Sequence, residues 1–487
     1  MNRSEILSRL EDNSETWDVI IIGGGATGLG IAVDAATRGY KVALVEQADF
    51  GEGTSSKSTK LIHGGVRYLR SGEVSLVKES LRERGRLFQN APNSVKALAF
   101  VVPAYRWYER LFYGAGLFLY DFLAGSLGIK KTAHLNAKEI LEVLPNLNSE
   151  GLRGGTLYWD GQFDDTRLLI ALARTAVANG AAVINHVKVT GLIKENEKVI
   201  GVNAVEQVSG NEISLKAKVV VNATGAFTDA IRKMNNEEAE EVITPSQGIH
   251  IVLEREFLDG DTGIMIPNTD DGRVLFAIPW HNRVLLGTTD TGDVPVSLHP
   301  KPLKEEIDYL LEHAGRYLTK APTHKDIRAS FAGLRPLVRP PDSKGKSTSK
   351  ISRSHSIFVS DSGMLTIAGG KWTTYRQMAE DAVDRVAELG DFPNAPCSTY
   401  DLSLLDQSTA EDEAAADESL RQPLDPELPY TMADVAAAVR TEMAVTLEDV
   451  LHRRTRCAFL DESAASRCSG KVVTWMEKEI GGTVPEL

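Results

Sequence analysis

Apolar residues along this chain repeat with two periods, one suited to buried strands and one to helices. Asp18-Val19-Ile20-Ile21-Ile22 is a continuous β-branched run, the pattern of a strand covered on both faces. A glycine turn follows at once, then a helical stretch through Ala35 and Ala36 that ends near Gly39. A second strand, Lys41-Val42-Ala43-Leu44-Val45, is closed by Glu46. This order predicts a βαβ unit on a parallel sheet. After a Ser/Thr/Gly-rich loop, Val74, Val77, Leu81 and Phe88 recur at helical spacing. Strand-like runs return at Ala182-Val183-Ile184, at Val199-Ile200-Gly201-Val202 and at Val219-Val220-Val221. Those around Ile249-His250-Ile251-Val252 and Val284-Leu285-Leu286-Gly287 suggest a second, antiparallel sheet. Leu365-Thr366-Ile367-Ala368 is a late strand that runs into Gly369-Gly370. The helix after it carries Met378, Ala382, Val383, Val386 and Leu389 on one side. An acidic, Ala-rich linker then leads to a helical segment from about Thr431, and no internal repeat is visible.

Composition narrows the class. With 487 residues, 42% hydrophobic and 25% charged, the chain is long enough for two or three packed domains and is neither disordered nor multi-spanning. A net charge of −13 argues against a nucleic-acid partner, and residues 406–427 hold eight acids against one Arg. Cys397, Cys457 and Cys468 form no C-x-x-C pair or zinc spacing, which fits a reducing cytoplasm; no metal site is expected. The N-terminus mixes charges without an apolar core, unlike a secretory signal. Residues 111–127 carry one charge, Asp121, but three glycines make them a poor spanning helix.

The sharpest chemical signal is Gly23-x-Gly25-x-x-Gly28, placed between strand and helix and answered by Glu46 at the end of the next strand. Gly23 permits the turn, Gly25 admits a pyrophosphate, and Gly28 lets helix and strand close up. Ala26 and Thr27 open the helix, whose free N–H groups and dipole favour phosphate. Glu46 is placed to accept from ribose hydroxyls. Only one such fingerprint is present, so a nicotinamide-reduced flavoprotein with two is not expected. The late Gly225 and Gly370, each between a strand and a helix, suit a long, folded-back FAD better than NAD.

Together these segments resemble the FAD-dependent glycerol-3-phosphate dehydrogenases. The stretches that carry the resemblance are Thr54-Ser55-Ser56-Lys57-Ser58-Thr59-Lys60-Leu61-Ile62-His63-Gly64-Gly65-Val66-Arg67-Tyr68-Leu69, Ile278-Pro279-Trp280 with Leu286-Gly287-Thr288-Thr289-Asp290, Gly333-Leu334-Arg335-Pro336-Leu337, and Gly369-Gly370-Lys371-Trp372-Thr373-Thr374-Tyr375-Arg376. The resemblance implies a Rossmann-like α/β FAD-binding domain (17–90, 150–230 and 355–392) interleaved with an antiparallel-sheet substrate domain (91–149 and 231–354). A helical C-terminal domain (397–487) follows. The activity it implies is oxidation of sn-glycerol 3-phosphate to dihydroxyacetone phosphate by hydride transfer to FAD, with electrons passed to a membrane quinone. It places Arg67, Tyr68, Arg335 and Lys371 around the substrate, and Ser55, Ser56, Lys60, Leu61 and Thr373 on the flavin; Val187 joins them by its place on the strand near the second glycine-rich crossing. As catalytic residues it offers Arg335 and His63; imidazole is the ordinary base at neutral pH, while His63 as a ring contact is an equal alternative. Ser246-Gln247-Gly248-Ile249-His250 stands where bacterial members often have Lys-Gly-Ser-His, so the charge this loop offers the substrate is an open question.

Nine aromatics lie between Phe100 and Phe122, flanked by Arg106, Arg110, Lys130 and Lys131. Two readings fit them: a headgroup-level interface for a peripheral enzyme on the inner face of the cell membrane, or a buried helical layer. The rival functions are a glycerophosphate oxidase that uses oxygen and a dinucleotide-binding sensor without turnover. The oligomeric state is left open.

Overall fold

The computed structural model describes every residue except 13–14, 71, 340–353, 394 and 406–409, with backbone alone at Arg67 and Arg70. Two sheets organise the chain. In the first, Leu365–Gly369, Glu212–Asn222, Thr16–Ile22, Val42–Val45 and Ala182–Ile184 run parallel in that order, with His355–Val359 antiparallel at one edge. The β-branched runs read from the sequence are its centre: Val19, Ile20, Ile21, Val42, Leu44 and Val221 have almost no exposed surface. Helix Ala26–Thr37 packs against Asp165–Ala178 and Tyr375–Gly390, covering the sheet as buried parallel strands require. Val187–Glu195 and Lys198–Glu206 add an antiparallel ribbon on Glu212–Asn222.

The second sheet is mainly antiparallel. Its order is Thr291–Gly292, Ile243–Glu254, Arg283–Gly287, Leu275–Trp280, Thr262–Ile266, Val95–Ala104, Gly154–Phe163 and Leu61–Ile62; Ile327–Val338 pairs along Ile243–Glu254. The runs at 249–252 and 284–287 do pair antiparallel, His250 opposite Gly287. Leu61–Ile62 and Gly154–Phe163, which the division by sequence assigns to the dinucleotide unit, both lie in this second sheet. The reason is partner length: Gly154–Phe163 pairs residue for residue with Val95–Ala104, from Val95↔Phe163 to Ala104↔Gly154. Residues 50–64 therefore cross from one sheet to the other.

The aromatic stretch is not one surface. Phe100 is buried in strand Val95–Ala104, and helix Glu109–Ala124 turns Leu117 and Tyr120 inward while Leu111, Phe112, Phe118 and Phe122 face out. Among the described residues no helix is long and apolar enough to cross a membrane.

The C-terminal helices, including Met432–Thr441, Asp449–Arg454 and Glu462–Ile480, lock onto the first sheet through buried ion pairs. Asp49 accepts from Arg453 Nε at 2.6 Å and from Arg454 Nη1 and Nη2 at 2.5 and 3.0 Å; Asp449 accepts from Arg453 Nη2 at 2.7 Å and meets His186 Nε2 at 2.9 Å. Burial alone would raise the Asp49 carboxyl, but Arg454 and Arg453 outweigh it and hold it below the usual range. Asp49, His186 and Asp449 have metal-ligand chemistry within 4.8 Å of one another, yet these guanidiniums already occupy the carboxylates.

Candidate active site

A cavity of about 420 Å³ follows the carboxyl ends of the parallel strands, touching Ile22, Val45, Ala223 and Ile367. Open α/β sheets bind ligands at this end. Gly23, Gly25, Gly225 and Gly370 line it, so its walls there are bare backbone. The fingerprint geometry is strict at Gly28, where a Cβ would stand 1.9 Å from the Gly23 carbonyl oxygen. Ala26, Thr27, Glu46, Ser55 and Val187 also line the cavity. Glu46 accepts N–H bonds from Gly24 at 2.6 Å and Ala48 at 2.9 Å, which fixes the carboxylate at the strand end; burial raises its pKa against those two bonds. Ser55 Oγ accepts from the Ala26 N–H at 3.1 Å, and its carbonyl accepts from Trp372 Nε1 at 2.9 Å, which ties the glycine turn to the late Gly369-Gly370 turn.

A second cavity of about 260 Å³ meets the first at Thr54, Lys57, Gly370, Lys371 and Trp372. Its walls come from the second sheet, from the segment that holds His63 and Tyr68 and from the turn after strand Leu365–Gly369, with Leu61, His63, Tyr68, His250, Arg335 and Thr373 on them. Arg335, on strand Ile327–Val338, donates from Nη2 to Thr288 Oγ1 at 3.0 Å and to the Thr289 carbonyl at 2.9 Å. Gly248 on the paired strand makes room for it, since a Cβ there would lie 2.2 Å from Nη2. Lys371 Nζ donates to Ser80 Oγ at 3.1 Å and lies 4.3 Å from the centre of the Tyr68 ring, a cation–π pair. His250 Nε2 meets Thr59 Oγ1 at 2.9 Å; burial first, then Lys60 and Arg335, push its pKa well down, so this imidazole is neutral at neutral pH. The two cavities thus join a glycine-lined groove to a pocket carrying cations, an arrangement suited to a long dinucleotide beside a small anion.

Not every expected residue reaches these walls. Gly28, Ser56 and Lys60 line neither cavity. Lys60 has no exposed surface; its Nζ donates to Asp165 Oδ2 and to the Ser56 carbonyl, both at 2.6 Å, among the rings of Trp280, Phe331 and Phe459. Arg456, from the C-terminal helices, reaches the same Ser56 carbonyl at 2.8 Å and Asp165 at 3.3 Å. Arg67 opens the short helix Arg67–Arg70 just beyond Gly65, and its side chain lies outside the described residues. Gln247 lines neither cavity: its Nε2 donates to Glu306 Oε2 at 2.7 Å and to the Lys301 carbonyl at 3.0 Å. Sequence reading did not single out Met265, Arg273 and Phe276, which complete the second pocket. They sit on strands and a loop of the second sheet, where alternation marks a face without marking a cavity.

Comparison with known proteins agrees with this geometry. Residues 18–376 match the FAD dependent oxidoreductase family and residues 403–484 the C-terminal domain of alpha-glycerophosphate oxidase. The chain is 41% identical to a probable mitochondrial glycerol-3-phosphate dehydrogenase of Caenorhabditis elegans, over 99% of this chain and 73% of that protein. It is 40% identical to a mitochondrial glycerol-3-phosphate dehydrogenase of Arabidopsis thaliana, over 96% and 83%. The crystal structure of the Bacillus halodurans glycerol-3-phosphate dehydrogenase complexed with FAD superimposes with a TM-score of 0.79 at 29% identity, covering 99% of this chain and 93% of that one. The chain belongs to the FAD-dependent glycerol-3-phosphate dehydrogenase family.

The buried Lys60 has a measurable consequence. Burial and the neighbouring Arg456 bring its pKa down from 10.5 to about 7, against the pull of Asp165. Between about pH 7 and 10.5 the unfolded chain therefore binds the proton that the native protein has released, so this group adds stability as pH rises through that window. Below pH 7 the contribution is gone. Thermal midpoints measured from pH 7 to 10 should show Lys60→Met lacking this rise relative to the parent protein; parallel curves for the two would refute the assignment.

Proposed function

We propose that the protein oxidises the C2 hydroxyl of sn-glycerol 3-phosphate to dihydroxyacetone phosphate and passes the electrons to a quinone at a membrane surface. The observation that carries this reading is the junction of the two cavities, where Lys371 lines both and Arg335 lines the second. FAD, when bound along the glycine-lined groove, supplies the hydride acceptor. Arg335 and Lys371 give the substrate phosphate and the developing alkoxide fixed positive charge, and Arg suits this because its planar fork makes paired hydrogen bonds. The motif Gly64-Gly65-Val66-Arg67-Tyr68 carries a further cation in Arg67. His63, on the cavity wall, takes the hydroxyl proton, because a guanidinium keeps its own.

Membrane attachment is supported by the outer face of helix Glu109–Ala124. Trp107 just before it is 76% exposed and Phe122 is 80% exposed, with Leu111, Phe112, Phe118 and Leu119 between them. Arg106, Arg110, Lys130 and Lys131 are exposed around this face. Aromatic and aliphatic tips beside exposed basic side chains suit a phospholipid headgroup layer, which supports the reading of a peripheral enzyme on the inner face of the cell membrane.

Anaerobic addition of sn-glycerol 3-phosphate should bleach the flavin of the purified holoenzyme, and a quinone analogue should restore the colour faster than oxygen does. Preferred reoxidation by oxygen would favour an oxidase; no bleaching would reject the reaction. In the same assay Arg335→Lys should retain its flavin and lose about 10- to 100-fold in kcat/KM, the scale of one lost hydrogen bond to a charged group. Trp107→Ser with Phe112→Ser should abolish sedimentation with anionic phospholipid vesicles while flavin reduction in solution survives. Unchanged sedimentation would place the lipid contact elsewhere.

A further inference from the structure

The helix that presents its apolar face outward also reaches the wall of the second cavity from behind. Tyr120, on helix Glu109–Ala124, is 1% exposed, and its ring packs among Tyr68, Leu81 and Ala124. Its hydroxyl oxygen accepts the Gly64 N–H at 2.6 Å and its O–H donates to the Asp160 carboxylate at 2.9 Å. Asp160 is held in turn by Arg84 Nη1 at 2.7 Å. On the other side of the same loop, Thr373 Oγ1 accepts the His63 N–H and donates to the His63 carbonyl, both at 3.3 Å. The His63–Gly64 main chain is thus gripped from two directions: by Thr373 at the start of helix Tyr375–Gly390, and by Tyr120 from the aromatic helix. The grip needs glycine, since a Cβ at Gly64 would lie 2.7 Å from the Tyr120 oxygen and 2.6 Å from Leu81.

We propose that Tyr120 is a positioning residue for the oxidation, fixing the main chain that aims His63 into the substrate cavity; this rests on the reaction proposed above. The phenol is suited to the task because one oxygen both accepts from the loop and donates to the carboxylate behind it. Burial, with Asp160 beside it, pushes its pKa well above the ordinary value, so it keeps the proton it donates. Phe in its place preserves the ring packing, but leaves the Gly64 N–H and one face of Asp160 buried without a partner. The loop then relaxes, and an error of an ångström in a reacting group is enough to slow chemistry.

Tyr120→Phe holoenzyme should be compared with the parent for flavin content, KM for sn-glycerol 3-phosphate, the rate of flavin reduction at saturating substrate, and amide exchange of the peptide spanning residues 61–66. The expected result is full flavin, KM within about twofold, a reduction rate lower by about tenfold, and faster exchange confined to that peptide. An unchanged reduction rate overturns the proposal. So does lost flavin with an unchanged rate per bound flavin, because Tyr120 would then serve stability alone. Should the variant fail to fold, exchange in the parent protein decides: a protected Gly64 amide supports the bond, and one exchanging like free chain overturns it. A parent flavin that sn-glycerol 3-phosphate does not bleach rejects the reaction instead, and leaves the exchange comparison as the test of the grip.

Discussion

Asp165, without exposed surface, holds the Lys60 Nζ, the guanidinium of Arg456 and the hydroxyl of Ser58 at once. Three segments distant in sequence converge on this one carboxylate: the loop that follows strand Val42–Val45, the helix after strand Gly154–Phe163, and the C-terminal helices. A charge with no access to water is tolerable only when its partners are complete. The path of residues 50–64 between the two sheets is therefore fixed by electrostatics as much as by packing. Both cavities inherit their shape from that path, for Ser55 faces one and His63 the other.

The two pockets divide the work. The first offers backbone, helix ends and the carboxylates of Glu46 and Glu52, with the bare glycine walls a dinucleotide requires. The second offers cations and an aromatic face supplied by different strands. Their junction falls at Gly370 and Lys371, where a strand of the first sheet hands over to helix Tyr375–Gly390. The motif around Gly369-Gly370-Lys371 lines both cavities, which gives it a physical reason to be contiguous.

The local parts of this design were legible in the amino-acid order. A β-branched run, three spaced glycines and Glu46 define the parallel sheet and its ligand end, because each imposes its geometry within a few residues. The family resemblance grouped Arg67, Tyr68, Arg335 and Lys371 around the substrate; Tyr68, Arg335 and Lys371 line one cavity, and the Arg67 side chain lies outside the described residues. What could not be read was long-range. Lys60 looks like a flavin contact in its motif, and its partner Asp165 lies over a hundred positions away. Gln247 looks like a lost charge toward substrate until Glu306 is seen to accept its amide. Gly154–Phe163 reads as belonging to the nearer unit because strand pairing with Val95–Ala104 leaves no local mark. The aromatic cluster could be exposed or buried by composition alone; the helix buries one side of it and exposes the other.

A protein of net charge −13 that takes an anionic substrate meets it first with repulsion. The cations proposed to meet it, Arg335 and Lys371, are partly buried on the wall of the second cavity. Mobile ions screen exposed charges beyond about 8 Å at physiological ionic strength, but act far less on partly buried ones. Salt should therefore ease the approach of substrate while leaving its grip nearly untouched. In this molecule encounter and residence answer to different charges.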